Sequence, residues 1–174
     1  MNAMDRRNKL AELLRSTDTP VSASALAAEL SVSRQIIVGD VALLRAAGLA
    51  ISATPRGYLL DSGSSGEDGF GFTGVLACRH TPEQLRDELY TVVDFGGTLI
   101  DVTVEHSLYG QLSGPLDVGS RYEADLFCQR VADETSQPLS LLTGGIHLHR
   151  IGCRDEATFR LIKEALDKKG YLLQ

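Results

Sequence analysis

The segment Thr143-Gly144-Gly145-Ile146-His147-Leu148-His149-Arg150-Ile151 decides the fold of the C-terminal part of the chain. After the two glycines, histidines alternate with other residues, which is typical of a β-strand whose successive side chains point to opposite faces. His147 and His149 therefore share one face and lie about 7 Å apart along the strand. Taken alone, such a pair is better explained as two solvated histidines, and a divalent metal site is the alternative.

The length and composition predict a soluble cytoplasmic protein. A chain of 174 residues with 43% apolar residues accommodates one domain of ordinary size or two small ones. It contains no apolar run of about 18 residues, so we expect no membrane span, and its polar N-terminus lacks the apolar core of a signal peptide. The three cysteines, Cys78, Cys128 and Cys153, form no C-x-x-C pair, and we expect buried structural thiols.

The charge is divided unevenly along the chain. Residues 1–60 carry seven Lys and Arg against five Asp and Glu, whereas the remainder carries ten against eighteen. Residues 1–60 are thus mildly basic and the remainder is acidic, which predicts two parts with different binding partners. The small polar residues around 62–69 indicate a linker, which gives domains at 1–61 and 70–174.

The N-terminal domain has the pattern of a winged helix-turn-helix. Apolar spacing and caps predict helices over 4–16, 25–30 and 34–47, with Ser33 as the N-cap of the third. Two short strand-like runs flank a turn at Arg56 and form the wing. On the third helix, one stripe is apolar (Ile37, Val41, Leu44), and the opposite side carries Arg34, Gln35, Val38 and Arg45.

This arrangement predicts binding to DNA. Ser33 and the helix N-terminus can hold a phosphate, while Arg34 and Gln35 can reach base edges in the major groove. Arg56, at the tip of the wing, would lie along the backbone or the minor groove. A helical bundle that serves only for dimerisation is the alternative.

The C-terminal domain opens with a strand, Phe70 to His80, followed at once by a helix that runs to about Val93. Thr81, Pro82 and Gln84 form a typical helix start. Glu88 falls within the apolar stripe of this helix, so we expect its carboxylate to face the interior and to need a partner. A glutamate at the edge of the stripe that reaches solvent is the alternative.

The remaining pattern predicts an α+β fold with helices packed on one face of a sheet. The predicted elements are a strand over 98–104 that leads to Glu105 and His106, a helix over 120–134 with Leu126, Phe127 and Val131 as its apolar residues, the strand of His147 and His149, a helix over 155–167 and a closing strand at 170–173.

All four histidines lie in the C-terminal domain, at His80, His106, His147 and His149. Together with an inward Glu88 they provide nitrogen and oxygen ligands suited to Zn²⁺, Ni²⁺, Fe²⁺ or Mn²⁺. No thiolate occurs at matching spacing, which disfavours a structural zinc finger. Three or four ligands with room for a small molecule are the expected use.

Over nearly its whole length the chain resembles the niacin-responsive transcriptional repressors, in which a winged helix is joined to a three-histidine (3H) domain. The resemblance is carried by Val32 to Val38 in the third helix, by Arg79-His80 with Glu88 eight positions on, by Val104 to Gly110, and by Gly145 to His149. It implies that His80, Glu88, His147 and His149 bind one divalent transition metal per chain, and that nicotinic acid is the effector.

We therefore expect a homodimer that binds operator DNA, since helix-turn-helix proteins contact two half-sites about one helical turn apart. Its function would be the nicotinic-acid-responsive repression of genes for niacin uptake or NAD synthesis, without enzymatic activity. His106 and Tyr109, near a strand end, are candidates for effector contacts. The competing class is a metal-dependent hydrolase with Glu105 or His106 as base. A repressor–ligase is excluded by length and by the lack of a glycine-rich nucleotide loop.

Overall fold

The computed structural model describes residues 2–60, 69–133 and 137–174, and the described chain folds into two domains that pack against each other. The N-terminal domain consists of α1 (Ala3–Arg15), α2 (Ala23–Leu30), α3 (Arg34–Ala46), β1 (Ile51–Thr54) and β2 (Gly57–Leu60). The C-terminal domain consists of β3 (Phe72–Arg79), α4 (Leu85–Asp94), β4 (Thr98–His106), β5 (Gly110–Val118), α5 (Arg121–Asp133), β6 (Ile146–Cys153) and α6 (Glu156–Lys168).

The N-terminal domain confirms the predicted winged helix-turn-helix. Ser22 and Ser33 cap α2 and α3, each accepting a hydrogen bond from a backbone N–H three residues on, which satisfies amide groups that the first helical turn leaves unpaired. The antiparallel pair β1–β2 forms the wing. The core of this domain consists of apolar residues from all three helices and the wing, among them Leu10, Leu14, Leu26, Ile37, Val41 and Tyr58.

The C-terminal domain is a four-stranded antiparallel sheet in the order β3-β6-β4-β5, and this confirms the predicted α+β class. Helices α4, α5 and α6 cover one face of the sheet. Their apolar side chains form the largest core cluster with the strands, which includes Leu76, Leu89, Val92, Leu99, Ala124, Ile151, Ile162 and Leu166.

The opposite face of the sheet packs against α3 of the winged helix. Ala42 of α3 is buried together with Ala77, Ile146 and Leu148 of the sheet. The turn between β4 and β5 also meets the wing. A Cβ atom added at Gly110, where φ is +76°, would lie only 2.7 Å from the carbonyl oxygen of Ala53, so this close approach requires glycine.

Both faces of strand β6 are covered, one by the helices α4 to α6 and the other by α3. His147 and His149 pair with Cys78 and Leu76 on the side of the helices α4 to α6, whereas Leu148 pairs with Ala77 on the side of α3. One central strand therefore contributes to the C-terminal core and to the contact with the DNA-binding helix, because its side chains alternate.

Some local features differ from the predictions, and others are not shown by the sequence pattern. Arg45, predicted on the side of α3 opposite the apolar stripe, is buried, since its Nε donates a 2.6 Å hydrogen bond to the Ile51 carbonyl and its guanidinium lies over the Tyr58 ring. No strand forms at 170–173, where an isolated bridge joins Leu172 to Cys78. Leu126 is exposed and Cys128 is half-buried, so the expected burial of these two side chains is wrong as well.

The predicted linker, 62–69, falls almost entirely on residues outside the described ones, so it stays a prediction. Among the described residues, no helix combines the length and the apolar character that crossing a membrane requires.

A buried polar contact joins the two domains. The hydroxyl of Tyr58, in the wing, donates a hydrogen bond to the Glu105 carboxylate of β4. Burial raises the pKa of Glu105 above its ordinary value, although the Tyr58 hydrogen bond and the charges of Arg45 and Arg34 oppose the change. Ionised Glu105 therefore depends on the hydroxyl for part of its solvation.

We expect Tyr58→Phe to lower the free energy of unfolding by about 1–3 kcal/mol at pH 7, because it leaves a largely buried carboxylate without a donor. Because the pKa of Glu105 is higher in the folded state than its ordinary value, protonation of Glu105 favours folding. This stabilisation is lost as the pH rises. The deficit should therefore shrink as the pH falls towards the ordinary value of 4.5. Urea titrations at pH 4.5 and 7 measure it. Tyr122→Phe is the matched control, since Tyr122 is 73% exposed, and an equal loss in both variants would contradict the assignment.

Candidate metal centre and ligand cavity

The four residues that the resemblance implies as metal ligands meet in one buried cluster. His80 follows β3, Glu88 lies in the first turn of α4, and His147 and His149 lie on the inner face of β6. The Glu88 side chain is fully buried, and the three histidine side chains are at most 4% exposed. The structure thus brings these four residues together, and the predicted inward orientation of Glu88 is correct.

Local structure positions the first two of these residues. Thr81 and Gln84 form a reciprocal capping box, and Pro82 begins the short 3-10 helix that leads into α4. This fixes the direction of the helix directly after His80. Gly145 brings the start of β6 to the same place, because a Cβ there would lie 2.8 Å from the His80 carbonyl oxygen.

The three imidazoles direct their Nε2 atoms at the Glu88 carboxylate. His80 Nε2 lies 2.6 Å from Oε2, while His147 Nε2 and His149 Nε2 lie 3.1 Å and 3.4 Å from Oε1. His149 Nε2 is buried and has no hydrogen-bond partner of acceptable geometry among the described residues. A buried polar atom without a partner is costly and indicates a missing binding partner.

Each imidazole uses its other nitrogen to hold a backbone carbonyl. Nδ1 of His80 lies 2.8 Å from the Thr81 oxygen, Nδ1 of His147 lies 2.7 Å from the Gly145 oxygen, and Nδ1 of His149 lies 2.9 Å from the Asp101 oxygen. A carbonyl oxygen only accepts, so each Nδ1 carries a proton. In the neutral rings, the lone pairs of all three Nε2 atoms therefore face the centre of the cluster.

This arrangement fits a cation. Three lone pairs and a carboxylate are all acceptors, and they repel one another unless positive charge lies between them. Protons can supply that charge only by creating buried imidazolium ions, whereas a divalent metal satisfies the four groups at once. Histidines whose Nδ1–H is held by a carbonyl while Nε2 is free are a recurrent feature of metal sites.

The four groups of the cluster shift one another's pKa values. Burial alone would raise the pKa of Glu88, but the charges of His149 and His147 lower it well below its ordinary value. Burial lowers the pKa of His147. Burial also lowers the pKa of His80 and His149, but the Glu88 carboxylate raises it by more. The pKa values of these two histidines are therefore raised. Protons and a metal ion therefore compete for the same nitrogens.

Cys78 is a neighbour that the sequence did not place at this centre. Its Sγ, a Glu88 oxygen and a His147 ring nitrogen all lie within 4.8 Å of one another. Burial and the Glu88 charge raise the pKa of the Cys78 thiol well above its ordinary value. We interpret Cys78 as a protonated thiol beside the ligands, since a thiolate next to Glu88 would add a second buried negative charge.

A cavity of about 300 Å³ adjoins the cluster on its open side. This volume lies at the lower end of the range for small-molecule sites. Its lining residues are Leu85, Leu89, Val102, Gly114, Pro115, Leu116, Phe127, Arg130, Val131, Gln137, Pro138, Leu139, Ser140, His147 and His149. The walls are mainly apolar, and two of the proposed metal ligands form part of the surface.

The structure places His106 and Tyr109 elsewhere. Both lie at the turn between β4 and β5, where their rings stack and the Nδ1 of His106 accepts a hydrogen bond from the Leu108 N–H. His106 lines a polar cleft beside the wing together with Arg34, Arg56 and Glu105. The two residues predicted to contact the effector therefore do not line the cavity beside the histidine cluster.

The residues predicted to bind DNA are exposed on the winged helix. Arg34 and Gln35 lie in the first turn of α3, and Arg56 lies at the tip of the wing. The Ser33 side chain accepts a 3.3 Å hydrogen bond from the Ile36 N–H as the cap of α3. Ala42, in the C-terminal half of α3, packs on the sheet, whereas the first turn of α3 and the wing tip are exposed.

A winged helix joined to a sheet domain with a buried histidine cluster beside a cavity places the chain among the DNA-binding regulators that carry a second domain. Residues 6–59 match the HTH domain family, and residues 73–174 match the 3H domain family. The chain therefore belongs to the family of transcription repressors that combine these two domains, as the resemblance predicted. It is a regulator rather than an enzyme, and the hydrolase alternative is wrong.

Two relatives are similar over almost their full length. The chain is 43% identical over 170 residues to the probable transcription repressor NiaR of Thermotoga maritima, which covers 98% of this chain and 94% of the relative. It is 35% identical over 170 residues to the transcription repressor NadR of Bacillus subtilis, with the same coverage. Both domains are thus shared in the same order.

We expect the purified protein to bind one divalent transition metal per chain, and expect His147→Ala with His149→Ala to reduce the metal content at least about tenfold. Elemental analysis after dialysis at pH 7.5 measures this. His106→Ala is the matched control, since it removes a histidine outside the cluster. Equal metal content in the double variant and the control, with cooperative unfolding in both, would show that the metal binds elsewhere.

Proposed function

We propose that this protein represses genes for niacin uptake or NAD synthesis in the cytoplasm, in response to nicotinic acid and with a metal ion held by His80, Glu88, His147 and His149. The observation that carries the metal requirement is the convergence of three Nε2 atoms on one buried carboxylate. The printed names of the relatives, both transcription repressors, support the regulatory part of the proposal.

The residues fit a metal with an open coordination position. His147 and His149 also line the adjoining cavity, where a pyridine nitrogen or a carboxylate could complete the coordination. When bound, the metal would supply Lewis-acid affinity for such a group. The apolar walls formed by Leu89, Val102 and Phe127 suit the faces of a small aromatic ring.

The position of the sheet supports coupling between the two domains. A ligand in the cavity contacts one face of β6, and α3 packs on the other face through Ile146 and Leu148. A small shift of the strand would therefore change the support of the DNA-binding helix. Regulation also requires that the ligand bind one arrangement of the domains better than the other.

A homodimer is part of the proposal. A single winged helix presents one recognition helix, and two half-sites about one helical turn apart require a second copy. The exposed first turn of α3 and the wing tip supply the DNA contacts of each copy.

For DNA binding, we expect Arg34→Ala to lose discrimination between operator and unrelated DNA by about 1–3 kcal/mol, because Arg34 can reach base edges. Arg56→Ala should weaken binding to all sequences and lower the salt dependence of affinity by about one unit or less, since it contacts the backbone. Fluorescence anisotropy at several salt concentrations separates the two effects. Lys163→Ala on α6 is the control, and three indistinguishable variants would refute this DNA interface.

For the effector, we expect metal removal to abolish the response to nicotinic acid but not cooperative folding. The apolar core of the C-terminal domain is formed by residues other than the four proposed ligands. At about one hundred times Kd, nicotinic acid should stabilise the metal-loaded protein by about 2.7 kcal/mol and the metal-free protein not at all. Paired thermal melts measure both. Equal stabilisation of the two forms would mean that the metal takes no part in binding the effector.

A further inference from the structure

The cavity beside the histidine cluster contains one permanently charged side chain among its described lining residues, that of Arg130. Arg130 lies in the last turn of α5 on the same side as Phe127 and Val131, at the helical spacing i, i+3 and i+4. The three side chains thus form one wall. No described aspartate or glutamate lines the cavity, so a bound anion would meet no fixed negative charge at its surface.

Arg130 differs from several other arginines of the C-terminal domain in having no described carboxylate bound to it. Arg121, Arg150 and Arg160 are each bound to a carboxylate, from Asp94, Asp101 and Glu156 respectively. For Arg130, no ion pair or hydrogen bond to another described residue is present. An exposed guanidinium at the edge of an apolar cavity is suited to receive an anion from solution, because its planar donors match a carboxylate in a bidentate contact.

We propose that Arg130 binds the carboxylate of a small aromatic acid whose ring occupies the cavity against Phe127 and whose heteroatom is directed at the metal held by His147 and His149. This assignment rests on the proposed function and explains how the cavity would select an acid over the corresponding amide. A guanidinium favours the carboxylate of nicotinic acid over the neutral amide of nicotinamide, whereas the metal and the apolar walls accept both rings alike.

Calorimetric titration of the metal-loaded full chain with nicotinic acid and with nicotinamide tests the assignment. Wild-type protein should bind nicotinic acid more tightly than nicotinamide. Arg130→Gln should weaken nicotinic acid binding by about tenfold to a hundredfold, as expected when a charged hydrogen bond is removed, and should change nicotinamide binding less than about threefold. Arg130→Lys should retain part of the preference for nicotinic acid, since it keeps the positive charge but loses the bidentate donors of the guanidinium.

Arg160→Gln, on the exposed face of α6, is the matched control and should bind both pyridines as wild type does. Metal content and thermal midpoint are measured for every variant, so that loss of the fold or of the metal is recognised. Unchanged nicotinic acid binding in Arg130→Gln would overturn the role of Arg130 alone. Failure of the metal-loaded wild type to bind nicotinic acid would overturn the proposed function and this inference together.

Discussion

The C-terminal domain is built around the meeting of three imidazole nitrogens with one buried carboxylate. This meeting depends on distant parts of the fold, because the Asp101 carbonyl that orients His149 belongs to β4, while the helix that carries Glu88 follows a capping box after β3. Groups that would repel one another as neutral acceptors are held together by the sheet and by the apolar core around it. A fold that maintains such an arrangement spends stability on it, which is expected where a site serves binding rather than folding.

Local patterns were sufficient for the parts of the site that depend on periodicity. Alternation placed His147 and His149 on one face, and the apolar stripe of α4 directed Glu88 inward. Contacts between distant segments could not be obtained in this way. The helical pattern does not show that α3 packs on the sheet or that Arg45 is buried against Ile51 and Tyr58. The position of His106 at a hairpin turn beside the wing likewise depends on the pairing of β4 with β5. The sequence pattern does not single out Arg130 either, because its position on the wall of the cavity depends on how α5 packs on the sheet.

The contact between the domains places the histidine cluster close to the DNA-binding helix. Among the described residues, the apolar cluster of Ala42 with Leu148 and the hydrogen bond from Tyr58 to Glu105 both cross this contact. The apolar link tolerates small displacements, since it has no preferred direction, whereas the hydrogen bond and the close approach at Gly110 restrict how far the wing can move.

The alternation of β6 also has a consequence for how the protein can change over generations. Residues 147 and 149 face the Glu88 carboxylate, and residues 146 and 148 face α3. Substitutions at one pair leave the other pair in place, so the histidine cluster and the attachment of the winged helix can change separately. A slip of one residue in the pairing would instead exchange the two sets, putting imidazoles against α3 and aliphatic side chains at the carboxylate. The histidine cluster and the contact with α3 would then be lost in the same event, whereas a substitution at a single position disrupts only one of them.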